Sequence, residues 1–300
     1  MQYGHIPGIN KPVSRLIQGT ASGFDPDNAE EAFALLDMVF EHGFNTFDTA
    51  ENYGPAREIV FGQWLRTRGV RDQVVILAKG AHPYERNRVT PEDIEADMQG
   101  TMARMGVDYI VEALTKHQKA GRIGAFGGSN WAYERIQVAN EYARAHNLTP
   151  FAVSNPNFSL AEQFVEPWAN CVSISGPQGE AARQWYAQDG IALFAWSSLA
   201  SGFFSERFQR DNAETFGKDD YWAQLVLRSY CREPNFQRLD RVRELAQKKS
   251  LATPQIALAY VLNQPMNVFA LTMCANREQF VANIAALELK LTPLEIAYLD

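Results

Sequence analysis

The sequence contains few cysteines, and their arrangement argues against several classes of site. Cys171, Cys231 and Cys274 are the only cysteines in 300 residues. They form no Cys-X-X-Cys pair, and no histidine stands near them at a metal-ligand spacing. An odd number of widely separated cysteines is typical of free thiols in a reducing compartment. The five histidines do not cluster either, so we predict no metal site, and a metal-dependent hydrolase is the least favoured function.

Basic clusters and long apolar runs are also missing. The chain has 28 Lys and Arg against 35 Asp and Glu, which gives a formal net charge of −7. A nucleic acid or an anionic membrane surface requires clustered basic residues, so neither is an expected partner. No apolar run approaches the roughly 20 residues that cross a bilayer, and residues 1–13 lack the apolar core of a signal peptide. We therefore expect a cytoplasmic protein; its oligomeric state is not indicated.

What the chain does contain is a regular alternation of short β-branched or aromatic runs with amphipathic helical stretches. Capping signals open several of these stretches, as at Thr90-Pro91 and Thr253-Pro254, where a cap residue precedes a first-turn proline. The alternation continues without a linker or a composition break. It predicts an α/β fold with one domain over residues 1–300, a (β/α)8 TIM-type barrel. The strand-like runs are residues 15–20, 44–49, 74–79, 122–127, 151–154, 191–197 and 268–273.

These runs number seven, whereas an eight-fold barrel has eight strands. The gap lies between residues 79 and 122, where residues 91–105 show a clear helical pattern. Residues 107–111 leave room for a stub of strand only, because residues 112–120 already have the pattern of another helix. The sequence therefore predicts that the fourth strand and its loop are truncated.

Three ionisable residues stand at or just after the ends of neighbouring predicted strands. The second run ends near Asp48 with Tyr53 shortly after it, and the third ends at Lys79. Active sites of β/α barrels lie at the C-terminal ends of the strands, so these side chains can meet. We predict that Asp48 keeps Lys79 charged and that the ammonium lowers the pKa of Tyr53. A buried Asp–Lys pair alone is more often structural, but a neighbouring tyrosine favours proton transfer.

The stretch from 43 to 54, GFNTFDTAENYG, resembles the signature of the aldo-keto reductase family, and the similarity extends over nearly the whole chain. The resemblance implies that Asp48, Tyr53 and Lys79 belong to a catalytic tetrad. It further implies an NADP(H)-dependent oxidoreductase that reduces aldehydes or ketones by hydride transfer, with Tyr53 as the general acid. The expected partner is thus a small-molecule carbonyl substrate.

The same resemblance implies a cofactor site built on the barrel, which agrees with the absence of a GxGxxG fingerprint. The segment GGSN at 127–130 resembles the one that binds the nicotinamide carboxamide, and Asn155 stands where the family usually has Gln. The segment AWSSLASG at 195–202 resembles the one whose aromatic residue stacks on the nicotinamide and whose next residues bind the pyrophosphate, although Trp196 could equally be a core residue. The implied cofactor-binding residues are Gly19, Thr20, Ser129, Asn130, Asn155, Trp196, Ser197, Leu199, Ser201, Cys274, Asn276, Gln279 and Asn283.

The choice between the two nicotinamide cofactors is less clear. The family most often uses NADP(H) and holds its 2′-phosphate with basic residues. Met273 and Gln279 stand where some members have Lys and Arg, and Arg277 is the only cation nearby in the sequence. We expect NADP(H), with NAD(H) as the alternative.

Aromatic residues on the predicted catalytic side suggest a substrate pocket. Phe24, Tyr84 and Trp131 are expected to line it, and the aromatic-rich segment 200–236 is expected to form a long loop along its wall. Packing beneath that loop is an equally good account of the aromatic residues in it.

The sequence departs from the family pattern after Ile110. The fourth tetrad member, a histidine at the end of strand four, should follow this residue, but the chain continues directly into what resembles the next helix. His117 is a poor substitute, because a one-residue slip turns a strand side chain to the opposite face. The alternative function is therefore a nucleotide-binding barrel with little or no turnover, either regulatory or inactivated.

Overall fold

The computed structural model describes residues 1–107, 118–119, 121, 123–274 and 276–300. The predicted truncation of the fourth strand and the candidate His117 fall on or next to residues 108–117, outside the described residues. The chain divides into two compact units. The first comprises Met1–Ser129, Gln137–Val153 and Met273–Arg277, and the second comprises Asn130–Ile136, Ser154–Thr272 and Glu278–Asp300. One domain over residues 1–300 stays a prediction.

Strands and helices alternate in both units. The strands are β1 (Tyr3–Gly4), β2 (Val13–Ser14), β3 (Leu16–Gly19), β4 (Thr46–Asp48), β5 (Val75–Leu77), β6 (Gly127–Ser129), β7 (Val153–Asn155), β8 (Ala192–Ala195) and β9 (Val268–Thr272). The helices are α1 (Ala29–Glu41), α2 (Pro55–Arg68), α3 (Pro91–Met105), α4 (Tyr133–Ala145), α5 (Glu180–Asp189), α6 (Tyr221–Ser229), α7 (Glu233–Lys249), α8 (Thr253–Leu262), α9 (Arg277–Glu288) and α10 (Pro293–Leu299). This alternation confirms the α/β class.

In the first unit, β3, β4 and β5 are adjacent parallel strands that end level with one another. Gly19 pairs with Asp48, and Asp48 pairs with Leu77. Every residue of β4 and β5 is buried, as expected for parallel strands with both faces covered. The register therefore brings the C-terminal ends of the three strands, and whatever follows them, to one edge.

Helices α2 and α3 pack closely against each other. A Cβ atom on Gly62 would lie 2.1 Å from the carbonyl oxygen of Met105, so only glycine permits this approach. Glu58 on α2 is fully buried; it accepts a hydrogen bond of 2.8 Å from Thr101 and pairs with Arg104. At the start of α3, the Thr90 hydroxyl accepts a bond from the Asp93 amide, which confirms the predicted cap. Helix α3 is thus a firmly held support for the loop that precedes it.

In the second unit, β8 and β9 form a parallel pair in which Leu193 lies beside Val268 and Ala195 beside Ala270. Helix α8 is apolar over most of its length and is almost entirely buried. Helix α8 begins at Thr253 with Ala252 as its N-cap, so the predicted cap at Thr253 is wrong by one residue. Helix α10 begins with a capping box, in which Thr292 and Glu295 exchange hydrogen bonds.

Two sequence expectations need correction. The predicted strand 122–127 overlaps the observed β6 only at Gly127, whose close approach to the Val153 carbonyl leaves no space for a Cβ atom. Segment 200–236 is not one long loop, because it contains a kinked 3-10 turn, Ala200–Ser205, and the whole of α6. Phe203 and Phe204 in that turn are fully buried, so packing accounts for these two aromatics.

Within the part of the chain that the structure describes, none of the helices combines the length and the apolar character needed to span a membrane.

Candidate active site

Backbone pairing continues past the strand ends and fixes the residues that follow them. The Thr49 amide donates to the Leu77 carbonyl at 2.8 Å, the Lys79 amide to Thr49 at 3.1 Å and the Glu51 amide to Lys79 at 2.8 Å. Beyond this ladder the chain turns through the short 3-10 helix Glu51–Tyr53, and α2 starts after Gly54, which has a φ of 105°. Asp48, Lys79 and Tyr53 are thereby held by main-chain hydrogen bonds at one strand edge.

The three predicted catalytic residues meet there. Lys79 forms an ion pair with Asp48 and donates a second hydrogen bond of 3.1 Å to the Thr49 carbonyl. The Tyr53 hydroxyl donates to Asp48 Oδ2 at 3.3 Å, and the Lys79 ammonium lies 5.0 Å from the centre of the Tyr53 ring. Asp48 is only 2% exposed. The cluster is a buried carboxylate shared by an ammonium and a phenol.

The environment of Tyr53 reverses one sequence expectation. Burial raises the pKa of Tyr53 to about 12, the Asp48 charge adds to the rise, and Lys79 opposes it. Lys79 therefore acts in the predicted direction, but the predicted net lowering of the pKa is wrong. A phenolate in this position would lose its hydration and face a carboxylate. The structure keeps Tyr53 in its protonated form.

Burial acts on the ion pair as well. It tends to lower the pKa of Lys79, but Asp48 and Tyr53 outweigh it and raise that pKa above its ordinary value. Burial raises the pKa of Asp48, while Lys79 and Tyr53 oppose the rise. Burial therefore favours the neutral form of the Asp48 carboxyl, whereas the neighbours of Lys79 favour its charged form. Lys79 is held as a charged ammonium, because its donors are directed at two oxygens, those of Asp48 and Thr49.

Several predicted cofactor residues of the first unit lie at strand ends. Gly19 ends β3, and the next residue, Thr20, is fully buried. The Thr20 hydroxyl has no hydrogen-bond partner among the described residues, although an unsatisfied buried polar atom is costly. Ser129 ends β6 with an exposed side chain, and Cys274 is buried with its amide donating to Gln18 at 3.4 Å. Asn276 is exposed.

In the second unit, three predicted cofactor residues are linked by hydrogen bonds. Asn130 Oδ1 accepts from the Trp196 indole at 3.0 Å and from the Val172 amide at 3.3 Å. The Asn130 amide donates to the Asn155 carbonyl at 3.1 Å, and the Asn155 side chain donates to the Phe194 carbonyl. Asn130 has a left-handed backbone with a φ of 54°, a conformation that asparagine tolerates better than most residues.

Trp196 has a neighbour that the sequence analysis missed. Its ring is 8% exposed and stacks on Trp168 with a centroid separation of 5.2 Å and an interplanar angle of 24°. Trp168 itself is 41% exposed. The two residues are far apart in the sequence, and no motif connects them, so the pattern gave no signal for this pair.

The segment after β8 is strained where the resemblance expects pyrophosphate contacts. Ser197, Ala200 and Ser201 all have left-handed backbones, with φ of 54°, 52° and 53°. Each such residue costs about 1–3 kcal/mol, and residues of this kind cluster at ligand sites. The hydroxyls of Ser197 and Ser201 lie 3.1 Å apart, with Leu199 half-buried between them. Two converging hydroxyls on a constrained turn form a surface suited to an anion.

Helix α9 carries the remaining predicted cofactor residues. Gln279 is exposed, whereas Asn283 is 4% exposed and faces the protein interior. Among the neighbouring residues that bear on cofactor choice, Met273 is 51% exposed and Arg277 is exposed.

The three predicted pocket residues differ in their surroundings. Phe24 is 2% exposed, which leaves little of its ring for a substrate. The Tyr84 hydroxyl donates to Glu51 Oε2 at 2.7 Å, and Trp131 is half-buried beneath the guanidinium of Arg135 at 3.7 Å. Their assignment to a pocket stays a prediction. Sequence reasoning did not foresee the contact of Tyr84 with Glu51.

Comparison with known proteins identifies one family. The model described as "Aldo/keto reductase family" matches residues 15–111 and 109–300, two stretches that meet where the sequence departs from the family pattern. The chain is 28% identical to norsolorinic acid reductase of Emericella nidulans over 89% of this chain and 70% of the relative. It is 26% identical to a putative aryl-alcohol dehydrogenase of Saccharomyces cerevisiae over 96% of this chain and 82% of the relative.

A solved structure resembles the whole chain. The crystal structure of the thermostable aldo-keto reductase Tm1743 with the inhibitor epalrestat has a TM-score of 0.72 and 19% identity, covering 100% of this chain and 99% of that chain. At this identity the likeness bears on the fold alone, and it confirms the (β/α)8 TIM-type class.

Proposed function

The chain belongs to the aldo/keto reductase family, and from this premise we propose that it is an NADP(H)-dependent oxidoreductase that reduces an aldehyde or a ketone to an alcohol. The observation that carries the proposal is the contact of Tyr53 and Lys79 with the buried carboxylate of Asp48. Buried ionisable groups with perturbed pKa values and specific charge partners are typical of catalytic sites.

In this proposal each residue has one task. A bound nicotinamide would supply the hydride for the carbonyl carbon. Tyr53, held in its protonated form, donates its proton to the carbonyl oxygen as negative charge develops there. Lys79 then stabilises the resulting phenolate, and Asp48 keeps the ammonium in place. The ammonium therefore matters most after the proton has left, which is consistent with a phenol whose resting pKa is high.

Each unit, taken by itself, offers groups of the kind that a nicotinamide dinucleotide requires. The unpartnered hydroxyl of buried Thr20 is a polar group that a ligand could satisfy. Asn130 and Asn155 offer amides of the kind that bind a carboxamide, and Ser197 and Ser201 offer hydroxyls for phosphate oxygens. Arg277 is the cation that we assign to the 2′-phosphate, which makes NADP(H) the preferred cofactor and NAD(H) the alternative.

A second candidate function is a barrel that binds the nucleotide but turns over little or not at all. The family match is broken into two stretches at residues 109–111, next to the place where the resemblance expects the tetrad histidine. The alignment with the yeast relative also extends over 330 residues, more than the 300 of this chain, so that relative has residues without a counterpart here. Both observations support a missing segment.

One experiment separates the two candidates. Consumption of NADPH and of NADH is followed by absorbance with a panel of aromatic and aliphatic aldehydes and ketones, and cofactor binding is followed by quenching of tryptophan fluorescence. Binding together with consumption supports the reductase. Binding without consumption for any member of the panel supports the second candidate, and tighter binding of NADH would overturn the cofactor assignment.

The pKa of Tyr53 leads to a prediction about pH. Because burial raises that pKa to about 12, the phenol stays protonated throughout the neutral range. Reduction requires the protonated form, so kcat/KM should remain flat between about pH 6 and 10 and fall only above this range. The measurement is a pH profile of kcat/KM at saturating NADPH. A fall centred near pH 7 would show that the phenol titrates much lower and that Lys79, not burial, dominates its environment.

A further inference from the structure

The loop between β5 and α3 is tied to the protein by a carboxylate that the proposed mechanism does not use. Asp97 lies on α3 and is 7% exposed. Its Oδ2 accepts a hydrogen bond of 2.8 Å from the Ala81 amide, and its Oδ1 accepts one of 2.5 Å from the Arg88 guanidinium. One buried side chain thus holds both ends of residues 81–88, here termed the 81–88 loop.

The start of this loop is held in an unusual conformation. Ala81 has a φ of 59°, in the left-handed region that residues with a Cβ atom avoid. The preceding residue, Gly80, lies so close to Asp97 that a Cβ atom there would be 3.1 Å from the Asp97 Cβ. The bond from the Ala81 amide to Asp97 therefore fixes a turn that the chain would not favour by itself.

The middle of the loop reaches the turn that carries Tyr53. The Arg88 guanidinium lies 5.6 Å from the centre of the Tyr84 ring. The His82 and Tyr84 rings form a T-shaped pair with 5.2 Å between their centroids. The Tyr84 hydroxyl donates to Glu51 Oε2 at 2.7 Å. Glu51 opens the same 3-10 turn, Glu51–Tyr53, that ends with the phenol. A continuous series of contacts therefore leads from α3 to the catalytic turn.

We propose that Asp97 and Tyr84 are positioning residues, which act through the 81–88 loop to hold the turn Glu51–Tyr53 in place. Tyr84 touches the turn, and Asp97 keeps the loop in the conformation that brings Tyr84 to it. The value of this arrangement for catalysis rests on the proposed function, in which Tyr53 is the proton donor. A small displacement of a catalytic group has a large effect on rate, so loss of the contacts that hold this turn should lower kcat.

The same loop provides a matched control. Arg86 is paired with Asp93 in the first turn of α3, with 2.6 Å between Nη2 and Oδ1. This contact also ties the loop to α3, but it involves neither Asp97 nor Tyr84 nor Glu51. Arg86→Gln should therefore weaken the attachment of the loop to the helix without loosening the catalytic turn.

The kinetic test uses Tyr84→Phe, Asp97→Asn, the double variant and the control. Each single variant should lower kcat about 10-fold while leaving the Kd for NADPH within a factor of about two. Because Asp97 acts through Tyr84, the double variant should lose no more than the worse single variant, whereas independent roles would multiply the two losses. An unchanged kcat in Tyr84→Phe, or multiplied losses in the double variant, would overturn the proposal.

A second measurement does not depend on turnover. Hydrogen–deuterium exchange of the amides of Glu51, Tyr53 and Gly54, which bond to Lys79, Ala50 and Glu51, should accelerate at least 5-fold in Tyr84→Phe and Asp97→Asn but not in Arg86→Gln. If Asp97→Asn does not fold, Arg88→Gln is measured instead, because it removes the residue of the 81–88 loop that pairs with Asp97. Unchanged exchange in the folded variants would refute the positioning role even if the wild-type protein proves inactive. An inactive wild type with accelerated exchange in the variants would refute only the proposed function.

Discussion

Replacing Tyr53 by Phe is expected to lower kcat for carbonyl reduction by about 10²–10⁴-fold, the usual contribution of a positioned general acid. The substitution removes the hydroxyl that donates to Asp48 at 3.3 Å and keeps the ring beside the Lys79 ammonium. The Lys79–Asp48 ion pair does not require the phenol. Cofactor affinity, measured by fluorescence titration, should therefore change far less than the rate of NADPH consumption.

Tyr186→Phe is a suitable control for this variant. Tyr186 is fully buried, burial raises its pKa to about 12 as it does for Tyr53, and its hydroxyl is hydrogen-bonded to Ser154 at 2.7 Å. Its substitution likewise removes one hydrogen bond of a tyrosine hydroxyl, but the bonded partner of Tyr186 is a serine hydroxyl and not a carboxylate. Equal losses of kcat in the two variants would mean that Tyr53 supports the fold and does not donate the proton.

The sequence predicted that Asp48 and Lys79 lie at neighbouring strand ends because the strands that carry them show a local pattern. Runs 15–20, 44–49 and 74–79 are short, apolar and β-branched, and they contain β3, β4 and β5 as observed. In a barrel of parallel strands the C-terminal ends of neighbouring strands lie at the same edge. The prediction of a barrel therefore implies that Asp48 and Lys79 lie near each other. The β1–β2 pair was not predicted, since strands of two residues are too short to show an alternating pattern.

Properties that depend on burial and on distant contacts could not be predicted in the same way. The direction of the Tyr53 pKa shift depends on how much water the folded chain removes, and no motif encodes that quantity. The stacking of Trp168 on Trp196 and the two bonds of Asp97 across the 81–88 loop join residues from separate elements. Asp97 looks like an ordinary polar position of an amphipathic helix until the loop conformation is known.

The departure of the sequence from the family pattern after Ile110 affects the turnover that we expect. Tyr53 and its two partners all lie within residues 48–79, so the proton donation proposed for Tyr53 draws on no residue after Ile110. The histidine, in contrast, is the fourth member of the tetrad that the resemblance implies. If the fourth-strand segment is absent, turnover should be weak or absent, and any residual reduction should keep the flat pH profile expected for Tyr53.

Replacing Lys79 by Met is expected to have the largest effect on stability, lowering the free energy of unfolding by about 3–5 kcal/mol. Asp48 is 2% exposed, and Lys79 is its only cationic partner among the described residues. Without the ammonium, an unpaired carboxylate remains in the interior. Urea unfolding followed by tryptophan fluorescence measures the loss, and kcat should fall in parallel because the phenolate that forms after proton donation loses its counter-charge.

The pH dependence and a second substitution identify the cause of this loss. Burial already raises the pKa of Asp48, and Lys79 opposes the rise, so removing Lys79 should raise it further. A carboxyl group with a raised pKa in the folded state is least destabilising below its unfolded pKa, and it costs stability as the pH rises through its folded value. The deficit of Lys79→Met should thus be smaller at pH 5 than at pH 8. Adding Asp48→Asn removes the buried charge and should recover most of the lost stability without restoring kcat. If the loss of stability depends neither on pH nor on this second substitution, its cause is instead the lost packing of the aliphatic part of the lysine side chain.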